Sequence, residues 1–193
     1  MTTRPARNPQ RRDQLLDAGL AVLAEQGARG LTFRAVDARA GLATGTATNY
    51  FADRDTLLAE LGERIHTRLE PDESELAAAR GGDPTSTVMR RLLERVLARR
   101  EVYVALLELR LEATRRPALR ESLTATVRAR FEADVALHEE AGAPGGRQAV
   151  ALLHHAMEGL ILDQLTLPGA LGDPADAGAV AERLATAVLS REP

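Results

Sequence analysis

Residues 31–54 of this 193-residue chain read LTFRAVDARAGLATGTATNYFADR. Hydrophobic residues at helical spacing predict one short helix before Gly41, which supplies a turn. The segment from Thr44 to Tyr50 is predicted as a second short helix, and Asp53 is predicted to cap a longer one. The outward residues of the second helix are small, polar and uncharged. Such a face is suited to base edges in the major groove of DNA and poorly suited to a protein core.

The composition indicates an all-α protein. Apolar residues make up 45% of the chain and aromatic residues only 3%, so Leu, Val and Ala must form the core. Ala and Leu are strong helix formers. The absence of cysteine excludes disulfides and thiolate metal sites. We find no apolar core of a signal peptide at the N-terminus and no apolar run near the ~20 residues that span a bilayer. We therefore expect a soluble, cytoplasmic protein with no membrane partner.

Charge is distributed unevenly along the chain. Residues 1–56 carry a net charge of +2 and residues 57–193 carry −5. Four arginines precede the first carboxylate: Arg4, Arg7, Arg11 and Arg12. A basic N-terminal arm on an acidic body is typical of a protein that contacts phosphate at one end. An ordinary solvated tail explains the arm equally well when the arm is considered alone.

Apolar periodicity predicts the remaining helices. The first should run from about residue 11 to 26 and end at Gly27, with Leu15, Ala18, Gly19, Val22 and Leu23 facing inward. Thr32 is a suitable N-cap for the second helix, and Asp53 for a helix over residues 54–69. The core of this N-terminal part is predicted to contain Phe33, Val36, Ala40, Leu42 and Phe51. Helices in the body are predicted over residues 85–99, 101–115, 117–141, 147–166 and 176–190.

Two body helices, 101–115 and 147–166, are apolar on more than one face. A helix of this kind must be covered on both sides. In a small soluble chain, the second cover is usually another subunit. The last helix is rich in small residues that suit close packing. We therefore predict a homodimer that forms through the helices near 147–166 and 176–190.

Residues 11–58 resemble the DNA-binding domain of the tetracycline-repressor (TetR) family. The resemblance predicts an N-terminal helix-turn-helix domain over residues 1–56 and a helical effector-binding and dimerisation domain over residues 57–193. The body is similar to the family only loosely, with one closer segment from Glu108 to Pro117. The matching features are Leu15-Leu16-Asp17-Ala18, Gly27, Leu31-Thr32, Val36, Ala40-Gly41-Leu42, Gly45-Thr46, Tyr50-Phe51, Arg54-Asp55 and Leu57-Leu58.

The resemblance implies a DNA-binding role for nine residues. Those expected to face base edges are Thr44, Thr46, Thr48 and Asn49, with Gly45 allowing close approach of the backbone. Those expected to hold phosphates are Thr32, Tyr50 and Arg54, and Arg34 is expected to reach a phosphate or a guanine edge. The family usually has Tyr at the position of Thr48 and His at that of Tyr50. The alternatives are that Tyr50 only packs and that Thr46 and Thr48 are ordinary surface residues.

The body offers weaker indications. Arg110 is predicted to point to the apolar side of its helix, where Glu158, Asp163 or an anionic group on a ligand would pair with it. The residues His154, His155 and Glu158 suggest a metal site, but no second cluster supports one, and we expect no metal and no cofactor. No catalytic arrangement stands out. The predicted pocket lining consists of Met89, Leu93, Tyr103, Leu107, Arg110, Phe131 and Met157.

The resemblance thus implies a homodimeric, ligand-responsive transcriptional regulator, more often a repressor, that binds palindromic double-stranded operator DNA. A small-molecule effector in the body would change the spacing of the two DNA-binding domains. Two other classes stay open at this point. One is a small all-α enzyme or carrier that uses a cavity in the body. The other is an interaction protein that keeps the helix-turn-helix only as a scaffold.

Overall fold

A computed structural model describes residues 8–81 and 84–190. Over these ranges the regular structure is helical, which confirms the predicted all-α class. Arg4 and Arg7 of the predicted basic arm lie outside the described residues. Within the described ranges, none of the helices has the length and hydrophobicity needed to cross a bilayer. The α-helices are α1 (Pro9–Gly30), α2 (Phe33–Arg39), α3 (Arg54–Leu69), α4 (Glu73–Arg80), α5 (Thr85–Ala98), α6 (Arg100–Ala113), α7 (Pro117–Glu140), α8 (Gly146–Thr166) and α9 (Ala177–Leu189).

Helix α1 begins where its sequence caps it. The Asn8 side chain accepts hydrogen bonds from the backbone N–H groups of Gln10 (3.0 Å) and Arg11 (3.4 Å), and Pro9 occupies the first turn. The inward residues predicted for this helix are buried. Gly27 interrupts the helix with φ 68° and ψ 179°, at the predicted end. Helix α1 then continues to Gly30, beyond its predicted end.

The segment predicted as a helix from Thr44 to Tyr50 is instead a turn followed by a single 3-10 turn, Ala47–Asn49. Gly45 has φ +94°, a conformation that cannot belong to a right-handed helix. Thr and Asn side chains also compete for nearby backbone groups, which disfavours a helix. The helix prediction was therefore wrong, and the segment's polar residues lie at the surface on a turn.

The core around this turn differs partly from the prediction. Val36 and Phe51 are buried as expected, with exposed fractions of 0% and 1%. The predicted core residues Phe33, Ala40 and Leu42 are only half-buried. Ala47, which was not predicted, is fully buried, because the 3-10 turn directs it inward. The turn therefore packs on α2 through a small side chain.

The sequence analysis predicted no helix between residues 69 and 85, where the structure has α4. Asp72 accepts a hydrogen bond from the Glu75 N–H (2.9 Å), and the Glu75 carboxylate accepts one from the Asp72 N–H (3.0 Å). This reciprocal pair is a capping box, which nucleates a new helix directly after a break. The Asp-x-x-Glu spacing was visible in the sequence and would have predicted it.

The described residues fall into two compact units, within Met1–Arg68 plus Glu101–Thr126 and within Leu69–Arg100 plus Val127–Pro193. In the first unit, α3 buries the predicted residues Leu57, Leu58, Leu61 and Ile65. In the second, α9 packs on α5 and α8. The first unit also contains most of α6 and the first part of α7, together with the N-terminal helices. The functional division at residue 56/57 stays a prediction.

Candidate nucleic-acid interface

Asp37 is the residue that holds the polar turn in place. It lies on α2, is 1% exposed, and accepts hydrogen bonds from the N–H groups of Gly45 and Ala47, both at 2.7 Å. Its own carbonyl accepts from the Leu42 N–H at 2.9 Å. A buried carboxylate is costly unless such donors surround it. Asp37 therefore ties α2 to the segment that follows Gly41.

The sequence analysis missed Asp37 because it ranked positions by apolar periodicity. Asp37 directly follows Val36, which was predicted to face the core. The sequence therefore showed an acidic residue at the edge of the core-facing side of α2. The N–H groups of a glycine-containing turn eight to ten residues later were its available partners. That combination could have identified it.

The exposed polar side chains of the turn are bonded to its own backbone. The Thr46 hydroxyl donates to the Ala43 carbonyl (2.5 Å), and the Thr48 hydroxyl donates to the Gly45 carbonyl (2.7 Å). The Asn49 side-chain amide also donates to the Gly45 carbonyl, at 3.1 Å. Thr44, Thr48 and Asn49 are exposed, and Thr46 and Gly45 are half-exposed. The predicted base-contacting residues therefore lie in one surface segment whose backbone is fixed by hydrogen bonds. This segment, residues 44–49, is here called the reading turn.

Two of the predicted phosphate contacts lie at the start of α2. The Thr32 side chain accepts a hydrogen bond from the Ala35 N–H at 3.1 Å, which confirms it as the N-cap. Thr32 and Arg34 are both exposed, and α2 packs directly against the 3-10 turn. Tyr50, at the other end of the turn, is half-buried. The structure thus leaves Thr32 and Arg34 open to solvent on the helix that supports the reading turn.

Arg12 has a role that the basic-arm prediction did not include. Its Nε donates to the Glu60 carboxylate at 2.8 Å, and its Nη1 donates to the Tyr50 carbonyl at 3.3 Å. Its guanidinium also lies 5.2 Å from the centre of the Phe51 ring. These contacts join α1 to α3 across the end of the turn. Arg12 therefore stabilises the unit, while Arg11 is exposed.

Arg54 is directed toward other parts of the first unit. Its guanidinium donates to the Ala28 carbonyl and lies 3.8 Å from the Glu112 carboxylate, while its Nε is buried without a hydrogen-bond partner. These contacts connect the start of α3 with the end of α1 and with α6. Among the predicted DNA contacts, Arg54 therefore has the least support from the geometry.

Acidic residues of α6 contact the N-terminal helices. Glu108 Oε2 accepts a hydrogen bond from the Ala28 N–H at 3.1 Å, just after the break at Gly27. Glu112 accepts one from Arg116 Nε at 2.6 Å, and this bond is the main cause of its lowered pKa. Because these carboxylates turn toward partners, Arg110 is exposed, and its predicted inward direction was wrong.

The seven predicted pocket residues do not fall within one unit. Tyr103, Leu107 and Arg110 belong to the first, and Met89, Leu93, Phe131 and Met157 to the second. Leu93 and Met157 are 1% and 2% exposed, and the guanidinium of Arg147 lies 5.1 Å from the Phe131 ring centre. The pocket lining stays a prediction. In the described part of the chain, no three His, Cys, Asp or Glu side chains are grouped to suit a metal ion.

Asp37→Asn is expected to weaken both the fold and the reading turn. The asparagine keeps one acceptor but points an amide donor at the second backbone N–H, so one buried donor is left unpaired. We expect a loss of about 1–3 kcal/mol in the free energy of unfolding, measured by urea denaturation. Asp72→Asn is the matched control, since Asn caps a helix as well as Asp does. Equal stability of the Asp37 variant and wild type would contradict this account.

Glu112→Gln is expected to lower stability mainly near neutral pH. The pKa of Glu112 is lowered in the folded state, so its contribution is complete above the ordinary carboxyl pKa and is lost as pH falls through the folded-state pKa. The stability difference from wild type, measured by urea denaturation at several pH values, should shrink in acid. Glu132→Gln breaks the exposed Glu132–Arg147 pair instead; the pKa of Glu132 is also lowered by Arg147, but solvent screening of this pair should keep the effect on stability small at any pH. A pH-independent deficit in the Glu112 variant would refute this prediction.

Comparison with known proteins identifies the family. Residues 15–61 match the model described as "Bacterial regulatory proteins, tetR family", and residues 80–191 match "Tetracyclin repressor-like, C-terminal domain". The HTH-type transcriptional regulator BetI of Serratia proteamaculans (strain 568) is 37% identical over 70 residues, which are 32% of this chain and 35% of that protein. The chain therefore matches about a third of the length of such curated relatives.

Solved structures agree over nearly the whole chain. A TetR-family member from Streptomyces coelicolor is 28% identical, with a TM-score of 0.69, covering 91% of this chain and 98% of that one. The multidrug binding protein EbrR, in complex with imidazole, is 26% identical, with a TM-score of 0.68 and coverages of 96% and 98%. The EbrR complex with malachite green gives 25% identity, a TM-score of 0.65 and coverages of 95% and 100%. Since one family model spans more than half of the chain and another spans the helices around the reading turn, the chain belongs to the TetR family of bacterial transcriptional regulators.

Proposed function

We propose that this TetR-family regulator binds a roughly palindromic operator as a homodimer through the reading turn, and that a small-molecule effector alters this binding. The observation that carries the proposal is the turn itself. Asp37 accepts hydrogen bonds from the backbone of the turn, and exposed Thr and Asn side chains project from the turn into solvent and do not pack in the core. Repression is typical of the family, and we propose that mode here. A protein with this role works where the DNA is, in the cytoplasm.

We propose that Thr44, Gly45, Thr46, Thr48 and Asn49 face base edges in the major groove. Thr32 and Tyr50 are proposed to contact phosphates, because they lie on both sides of the turn. Arg34, on the helix beneath the turn, is proposed to reach a phosphate or a guanine edge. Arg54 is the weakest member of the predicted set, because its guanidinium is already bonded to Ala28 and lies near Glu112. We expect its substitution to affect stability more than DNA contact.

We propose that a second copy of the chain covers one face of α8. Leu152 and Leu162 are 43% and 44% exposed there, and exposed His155 and Gly159 lie between them at helical spacing. A Cβ added at Gly159 would meet no atom within 4 Å, so a partner helix has room to approach closely. Isologous pairing of this face in a twofold dimer supports a palindromic operator.

The effector site is proposed for the second unit, where the Arg95 side chain is withdrawn from water. Arg95 is 12% exposed, pairs with Glu75 at 2.6 Å, and has a buried Nε without a hydrogen-bond partner. Desolvation raises the pKa of the part-exposed Asp134, and the guanidinium of Arg130, 3.4 Å away, opposes that shift only partly. Groups like these can be stabilised by a polar ligand. Imidazole and malachite green, which are bound in the EbrR structures, are suitable first probes.

A mobility-shift assay against the DNA that flanks the gene tests the regulatory proposal. The full chain is expected to retain that fragment in the presence of excess unrelated DNA at physiological salt. Loss of retention on adding an effector probe, with a matching rise in melting temperature, would support the effector step. If the chain retains no DNA but captures a protein partner, the interaction-protein alternative is favoured and the proposal fails.

A further inference from the structure

The hydroxyl protons of Thr46 and Thr48 are already engaged in bonds to the nearby backbone. Thr46 donates its proton to the Ala43 carbonyl and Thr48 donates to the Gly45 carbonyl. A hydroxyl has one donor and two acceptor lone pairs, so each oxygen keeps acceptor capacity after this bond. Asn49 donates one amide proton to Gly45 and keeps both its second amide proton as a donor and its carbonyl oxygen as an acceptor. The hydroxyl oxygens of Thr46 and Thr48 are therefore available mainly as acceptors.

The backbone that receives these protons is held by the protein. Gly45 has φ +94°, its N–H donates to Asp37, and its carbonyl accepts from Thr48 and Asn49. Rotating the Thr48 hydroxyl outward as a donor would break its bond to the carbonyl of a residue that Asp37 keeps in position. The acceptor state is thus built into the turn before DNA arrives.

This pattern distinguishes between base edges. In the major groove, adenine and cytosine present exocyclic amino donors and thymine presents a methyl group, whereas guanine presents only acceptors. Acceptor oxygens of Thr46, Thr48 and Asn49 match the amino groups, and the threonine methyl groups match the thymine methyl. Guanine recognition normally needs Arg or Lys, and the reading turn contains neither.

We infer, on the basis of the proposed DNA-binding function, that Thr46 and Thr48 select the operator through the amino groups of adenine or cytosine and the methyl groups of thymine, and do not read the guanine acceptors. The charged Arg34 on α2 is separate from the turn and lies outside this inference. The family resemblance does not indicate which functional groups of the operator are recognised.

The test uses the full-length chain and base analogues. The tightest duplex is first selected from a pool of randomised DNA. Single positions of one half-site are then replaced: adenine by purine, cytosine by 2-pyrimidinone, thymine by uracil, and guanine by 7-deazaguanine. Removing an amino or methyl group at the read positions should weaken binding about fivefold or more. Any effect of 7-deazaguanine should stay the same when Thr46 or Thr48 is replaced.

Valine variants assign these effects to the turn. Thr46→Val and Thr48→Val keep the methyl groups and remove the hydroxyl oxygens, so each should abolish sensitivity to a specific amino group and keep sensitivity to uracil. Thr67→Val is the control, because Thr67 is an exposed residue of α3 with a similar hydroxyl bond, to the Glu63 carbonyl at 3.2 Å. It should leave the whole pattern unchanged.

The remaining outcomes overturn the inference in distinguishable ways. If 7-deazaguanine weakens binding and the valine variants remove that effect, the turn reads guanine, and the inference fails while the proposed function stands. The same holds if amino-group sensitivity persists in both valine variants or if no analogue has an effect. If no sequence is enriched from the pool, the DNA-binding proposal fails together with the inference.

Discussion

Replacing Leu152 and Leu162 together by glutamate is expected to convert the proposed dimer into monomers and to weaken operator binding by about a hundredfold or more. Both leucines are close to half-exposed on one face of α8. Glutamates there would bring four negative charges together in a twofold interface, where unpaired charge is strongly disfavoured. In a dimer, binding of one half-site raises the effective concentration of the second DNA-binding domain at the other half-site. A monomer loses this effect, which increases affinity by roughly 10²–10⁴-fold.

Sedimentation measures the oligomeric state of this variant, and a mobility-shift titration measures its affinity for the selected duplex. Circular dichroism checks that the helices are intact, since both positions are on the surface. Leu111→Glu/Leu171→Glu is a matched control, because those leucines are 59% and 87% exposed and lie outside α8. The interface proposal would have to be abandoned if the α8 variant stayed dimeric. A monomer that bound the palindrome as tightly as wild type would contradict the link between dimerisation and operator binding.

Gly27→Ala is expected to destabilise the first unit by about 3 kcal/mol. With φ 68° and ψ 179°, Gly27 occupies a region essentially restricted to glycine, where a side chain costs about 1–3 kcal/mol. The added Cβ would also lie 3.0 Å from Glu108 Oε2. That contact would displace the Glu108 carboxylate and weaken the hydrogen bond that it accepts from the Ala28 N–H. Such a hydrogen bond contributes about 1 kcal/mol to the free energy of unfolding. Urea denaturation measures the total effect.

A double-mutant cycle with Glu108→Ala separates the two causes. Backbone strain should persist in the double variant, whereas the steric contact should disappear with the carboxylate. Gly41→Ala is the control for positive φ alone: Gly41 has φ 67°, and its added Cβ would meet no atom within 4 Å. A Gly27 variant no less stable than the Gly41 variant would show that the close approach of α6 to the end of α1 is energetically unimportant.

The relation between sequence and structure differs from one element to another. Leu57, Leu58, Leu61 and Ile65 repeat at helical spacing, and all four are buried in α3 as predicted, because an apolar stripe has one favourable orientation. Thr32 was predicted and observed as a cap, since capping depends on residues within one turn. In such cases the physical cause is local, and neighbouring residues in the chain are enough to identify it.

The wrong predictions for the reading turn and for Arg110 have causes that are not local, whereas the capping box of α4 was local and was overlooked. The reading turn was predicted as a helix because its residue spacing is compatible with one, but Gly45 and a carboxylate eight residues earlier impose a different backbone. Arg110 was predicted to point inward from the polarity of its own helix alone. It is exposed because Glu108 and Glu112 on the same helix find partners at Ala28, Arg54 and Arg116. Helical periodicity contains no information about such partners.

The sequence by itself therefore determined the helical class, the family and the polar character of the segment that we propose contacts DNA, because these depend on composition, periodicity and motif spacing. Only the tertiary structure decided which groups of that segment remain available. Asp37 reaches the turn from another helix and sets its backbone, and the carbonyls thus presented take up the threonine protons. Hydrogen-bond partners are a property of positions in space, and the distances that select them exist only in the folded chain.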